Sequence, residues 1–166
     1  MTRALVAGIG NILCKDDGFG SEVARRLRAA PLPAGAVVVD FGISSLHLAL
    51  DLLEPFDLVV VIDVVARGGA PGTTYLLEVD PPADDATTGD DTHGMNLSSA
   101  LKLARRLGAP LGRILLVGCE PSDVADGIGL SAPVAGAVDL AAAMVRGVLA
   151  RELCRGTQAC SEDTEA

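Results

Sequence analysis

Tryptophan is absent from this chain of 166 residues, and Phe and Tyr supply only 2% of it. A core without aromatic bulk must be built from Val, Leu, Ile and Ala, and the surface lacks platforms on which unpaired bases could stack. Positive charge is scarce as well. Thirteen Lys and Arg stand against 22 Asp and Glu, for a net charge of -9 and a pI near 4.5. Such a field repels phosphate backbones and anionic headgroups, so no nucleic acid and no membrane surface is expected as partner, and a protein or cationic partner fits better. The four cysteines, Cys14, Cys119, Cys154 and Cys160, show neither C-x-x-C pairing nor zinc-ribbon spacing, and a chain of this length needs no disulfide staples. Reduced thiols in a cytosol are expected. The longest apolar run, residues 58–66, is interrupted by Asp63 and falls well short of the roughly 20 residues of a membrane span. Residues 1–7 open like a signal peptide, but Gly8, Gly10 and Asn11 break the run before an apolar h-region forms. A soluble, cytoplasmic protein is expected, with a monomer as the default because no large aromatic patch is present.

What the chain does have is aliphatic content: 49% of its residues are hydrophobic, enough for one domain with a genuine core. Residues 1–154 are read as that domain and 155–166 as a disordered acidic tail. Apolar runs at 4–7, 37–39 and 58–62 read as strands buried on both faces, and the last two end at carboxylates, Asp40 and Asp63. Between them lie helical patterns over 21–30 and 45–54, the second with an apolar stripe of Leu46, Ala49, Leu50 and Leu53. The order βαβαβ implies a parallel sheet between helices. Residues 67–72 are too few for a parallel crossover, so the next strand, 73–79, should run antiparallel beside its neighbour. A polar loop over 80–92, a helix over 95–107, a strand over 113–119 and a long Ala-rich helix over 132–153 follow. The expected fold is a three-layer α/β/α protein with a five-stranded, mostly parallel sheet, one antiparallel strand and helices on both faces.

In open α/β sheets ligands sit beyond the carboxyl ends of the parallel strands. Three acidic segments fall there: the loop after the first strand with Asp16 and Asp17, then Asp40 with Gly42, then Asp63. His93 belongs on the same rim, because the helix after it feeds a strand running upward. Two carboxylates and one imidazole make a mixed oxygen and nitrogen set suited to nickel or zinc, with positions left open for a substrate. Simpler roles compete for each residue taken singly: Asp16 or Asp17 as a helix cap, Asp40 and Asp63 as turn formers, His93 as a surface histidine. Their joint placement favours a site. His47, four residues before Asp51, reads as an exposed pair without a role. A dinucleotide site is disfavoured, since Leu13 stands where G-x-G-x-x-G needs its third glycine and Asp16 and Asp17 would repel a pyrophosphate.

The residues Gly8-Ile9-Gly10-Asn11-Ile12-Leu13, Asp16-Asp17-Gly18-Phe19-Gly20, the segment 57–63, Pro71-Gly72-Thr73, His93-Gly94-Met95, Leu116-Val117-Gly118 with Glu120-Pro121, and Gly129-Leu130-Ser131 with Val134 together resemble the hydrogenase maturation proteases. That family trims a C-terminal peptide from the large subunit of nickel-iron hydrogenases after nickel insertion. The resemblance implies an endopeptidase, aspartic-type by family convention, whose metal ligands and catalytic residues are Asp17, Asp63 and His93. Asp17 stands where many members carry Glu. Asp16, Asp40 and Gly42 would help position substrate, although Asp40-Phe41-Gly42 departs from the Asp-Gly-Gly-Thr of some members. The nickel would arrive with the precursor, so no permanently bound cofactor is required. No Ser-His-Asp or Cys-His set is evident, so these residues leave the nucleophile open; one hypothesis has the ion polarise the scissile carbonyl while Asp17 or Asp16 orients a water. A nickel carrier without peptidase activity and a general peptidase of related fold are the alternatives.

Overall fold

The computed structural model describes residues 2–80 and 97–158. Five strands, β1 (Ala4–Ile9), β2 (Ala36–Gly42), β3 (Leu58–Val64), β4 (Thr74–Glu78) and β5 (Arg113–Cys119), form one sheet in the order β2-β1-β3-β5-β4. The pairs β1–β2, β1–β3 and β3–β5 are parallel and β4–β5 is antiparallel, the mixed three-layer arrangement expected. One detail differs. β4 does not lie against β3: β5 inserts between them, so the antiparallel strand caps the sheet edge.

Among the described residues four α-helices cover the sheet: α1 (Phe19–Arg28), α2 (Ser45–Asp51), α3 (Leu97–Arg106) and α4 (Ala132–Gln158). Alternation along each strand sends successive side chains to opposite faces. Val6, Val60, Ile62 and Val117 meet Phe19, Val23 and Leu27 of α1 and Val145 and Leu149 of α4 on one side. Leu5, Ala7, Val59 and Val61 meet Leu48, Ala49, Leu101 and Ala104 of α2 and α3 on the other. Every residue of β1 is buried, which is why its sequence reads as an unbroken apolar run.

Two helices depart from the sequence reading. On α2 the buried residues are Leu48 and Ala49, followed by Leu52 just past its end, while Leu46 and Leu50, and Leu53 beyond the helix, face outward, so the expected stripe is rotated. The helix α4 continues through Gln158, past the boundary expected at 154. By length and composition alone its segment Ala132–Leu153 could cross a membrane. Here Val134, Ala141, Val145, Val148 and Leu149 are buried in the core, each of the larger ones contributing about 1.5–3 kcal/mol by leaving water.

The approach of α1 to the sheet depends on two glycines facing one another. A Cβ on Gly8 would overlap the carbonyl oxygen of Gly20, and one on Gly20 would overlap the carbonyl oxygens of Ile9 and Ile62. The start of α1 therefore rests on strand backbone with no side chain between. Gly20→Ala must lift the helix or bend β1, and a loss of about 2 kcal/mol is expected in a urea titration, together with slower turnover of any substrate handled at that rim.

Candidate active site

The close seat of α1 fixes what precedes it. After β1 the chain turns at Gly10, whose φ of 130° is open to glycine and whose missing Cβ makes room for the carbonyl of Asp17. It then forms a single 3-10 turn, Lys15–Gly18, before α1 begins. Gly18 occupies the cap position of α1 and no side chain caps it, so neither Asp16 nor Asp17 serves as the helix cap. One turn of 3-10 helix rotates successive side chains by a third of a circle, and the two adjacent acids go to different places.

Asp17 is half-buried on the rim, where its Oδ2 accepts the Asn11 N–H at 2.7 Å. Its Oδ1 has no donor among the described residues. Asp63 is the penultimate residue of β3, opposite Gly118 of β5, and among the described residues its Oδ1 accepts only the N–H of the next residue, Val64, at 2.8 Å. Burial pushes the Asp63 carboxyl up to about 7; the Val64 N–H works against this, and the negative charge of Asp17 adds to it. The two carboxylates are thus close enough to feel each other. A half-buried pair of like charges is unfavourable alone and is relieved by a proton or a cation between them.

Asp40 and Gly42 lie on the neighbouring strand, Asp40 level with Gly8. Asp40 closes a turn of its own by accepting the Gly42 N–H at 3.0 Å and also accepts the Ser21 hydroxyl at 2.7 Å, while Gly42 accepts the Gly10 N–H at 2.9 Å. Gly42 thus ties the loop after β1 to β2, and Asp40 ties the first turn of α1 to the same strand.

Asp16 is fully buried and faces the loop between β5 and α4. Its Oδ2 accepts the N–H groups of Ser122 and Asp123 at 2.8 and 2.9 Å and the Ser131 hydroxyl at 2.9 Å, and its Oδ1 accepts the Ser131 N–H at 2.6 Å. Burial alone would raise this carboxyl, but the four bonds outweigh it and hold it below its ordinary value. With both oxygens engaged, Asp16 clamps a loop; it does not orient a water. Any part it has in positioning substrate passes through that loop.

Glu120 is a second buried acid that the sequence reading left without a role. It accepts the N–H groups of Arg67 and Gly68 and the Tyr75 hydroxyl at 2.9–3.1 Å, fastening the turn after β3. Its signal was faint: an acid directly after a strand, with two consecutive glycines elsewhere to receive it. His47 is exposed and shares a 2.7 Å hydrogen bond with Ser44, the cap of α2, in place of the expected pairing with Asp51. Cys14 and Cys119 are free thiols. Cys119 is buried, and burial together with the charges of Asp16 and Glu120 pushes it up to about 11, which suits packing and not nucleophilic attack.

His93 lies outside the described residues. Among the described residues no group of three His, Cys, Asp or Glu is gathered to hold a metal ion; what the structure couples is the pair Asp17 and Asp63, while Asp40 turns to Ser21 on the α1 face.

A layered, mostly parallel sheet with acids on its carboxyl rim defines the class, a small three-layer α/β protein with a site at the strand ends. The fold matches the hydrogenase maturating endopeptidase HybD from E. coli with a TM-score of 0.77 at 27% identity, covering 90% of this chain and 93% of that one. It also matches the hydrogenase maturation protease HycI of Thermococcus kodakarensis with a TM-score of 0.68 at 26% identity, covering 89% and 92%. In sequence, the hydrogenase expression/formation protein HupD of Rhodobacter capsulatus is 35% identical over 144 residues, 85% of this chain and 68% of HupD. The family model described as hydrogenase maturation protease, HycI, matches residues 21–148. The chain belongs to the hydrogenase maturation protease family.

Proposed function

We propose that this protein removes the C-terminal extension of a nickel-iron hydrogenase large-subunit precursor after nickel insertion, recognising the nickel through Asp17, Asp63 and His93. The observation that carries the reading is the coupling of Asp63 to Asp17 at the end of β3, which leaves a pair of carboxylates in need of positive charge. Nickel belongs to the substrate in this scheme and supplies that charge, polarising the scissile carbonyl. Asp63 holds the ion. Asp17, whose Oδ1 has no donor among the described residues, orients the attacking water, a role closed to Asp16 by its four bonds. Asp40 and Gly42 position the polypeptide on the β2 side. The enzyme acts as a monomer in the cytoplasm, an aspartic-type peptidase in the family's convention.

The test is direct. Purified protein is incubated with nickel-loaded and with nickel-free precursor, and the large subunit is weighed by mass spectrometry. A shortened subunit from the loaded precursor alone is expected. Nickel transfer without shortening would replace this reading with a metal carrier, and cleavage of casein without metal would replace it with a general peptidase.

A further inference from the structure

Beside the acidic rim two loops are joined into one ledge. The Gly127 N–H donates to the Leu13 carbonyl at 2.8 Å and the Lys15 N–H donates to the Gly127 carbonyl at 2.9 Å, while Asp16 pins both ends of the second loop from below. On this braced ledge stand Ile128, Ile12 and Leu13, with 86%, 60% and 59% of their surfaces exposed. Scattered apolar residues on a surface need no explanation, but three on one braced platform mark a contact surface.

Ile12 and Ile128 form the mouth of a groove of about 330 Å³ that runs along the outer side of α1. Its floor on the helix is Gly18, Ser21, Glu22, Arg25 and Arg28, a stripe at helical spacing from the first turn to the last. Gly18 directly follows Asp17 and Asp40 stands in the lining, so the groove begins within one residue of the acidic rim. Three cations, Lys15, Arg25 and Arg28, and two acids, Glu22 and Asp40, line it. Lys15 pairs with Asp123, Arg25 pairs with Glu22 at 2.9 Å, and Asp40 is held by Ser21. Arg28 has no ion-pair partner among the described residues, in a chain whose net charge is -9.

We propose that this groove receives the first residues of the precursor's C-terminal extension, with an apolar side chain seated between Ile12 and Ile128 and an acidic group met by Arg28. The proposal rests on the peptidase reading above. It commits to a spacing: the ten residues of α1 span about 15 Å, the length of four to five extended peptide residues, so the acid lies about four residues beyond the apolar anchor. The groove opens past Leu130 into a second one between α1 and α4, which leaves room for the remainder of a longer extension.

The experiment measures processing kinetics on nickel-loaded precursor for wild type, Ile128→Ala, Ile128→Asp and Arg28→Glu, with thermal melts to confirm that these surface variants stay folded. Ile128→Asp and Arg28→Glu should each raise KM by about tenfold or more with kcat near wild type, the size expected for losing one interface anchor. Arg28→Glu should recover on a precursor whose acid at that spacing is changed to Lys. Wild-type KM in both variants overturns the groove while leaving the peptidase reading intact, as does the absence of any recovery by charge exchange. A wild-type protein that cuts no precursor sinks the peptidase reading itself.

Discussion

Asp63→Asn is expected to fold more stably than wild type at pH 8 and to process almost nothing. The Asp63 carboxyl rises from an ordinary 3.8 to about 7 in the folded chain, so folding favours its protonated form. A raised folded value means that the group's contribution to stability is complete below about pH 4 and is lost as pH climbs through about 7. Asparagine keeps the neutral shape at every pH. The variant and wild type should therefore melt together near pH 4, and the gap should widen to roughly 2–4 kcal/mol by pH 8. Processing of the loaded precursor should fall by roughly a hundredfold or more, the scale of losing a group that charges or orients the reacting centre. Thermal melts from pH 4 to pH 8 and a single-turnover cleavage assay check both halves. A stability gap that ignores pH, or a variant that cuts at the wild-type rate, would refute the role given to this residue.

Asp16→Ala should show the opposite sign. Its carboxylate is held below the ordinary value by the donors at Ser122, Asp123 and Ser131, so it stabilises the fold above about pH 4 and ceases to do so as pH falls through its lowered folded value. Alanine strands four donors in a buried place. Each orphan costs about 1–3 kcal/mol, but the loop can open to water, so a total of about 3–5 kcal/mol is expected at pH 7. That is a large share of the stability of any small domain. The loss should be local before it is global: hydrogen exchange at the Ser122, Asp123 and Ser131 amides should accelerate while β1 and β3 stay protected. Unchanged protection at those three amides would show that the clamp does not hold the loop.

The strands and the rim were legible because their signal is local. Val59, Val60 and Val61 are buried on both faces of β3, and a run of that kind announces itself. The insertion of β5 between β3 and β4 was not legible, because nothing near residues 74–78 encodes a neighbour that arrives some forty residues later. The face of α2 was misread for a different reason. Leucine occupies positions 46, 48, 50, 52 and 53, apolar at every angle around the helix, and only docking against α3 decided which of them went inside. Of the two adjacent acids in the first loop, sequence could mark both but not separate them. A third of a turn in the backbone sends Asp16 into a loop and leaves Asp17 on the rim beside Asp63.

The contact of Gly8 with Gly20 has a consequence for what this rim can accept. With carbonyl laid directly on Cα, no rotamer is available there to relax when a bound ion asks for more room. The backbone beneath Asp17 is therefore a fixed seat, and on the reading proposed above the two acids could adjust to a guest only by turning about their own side-chain bonds.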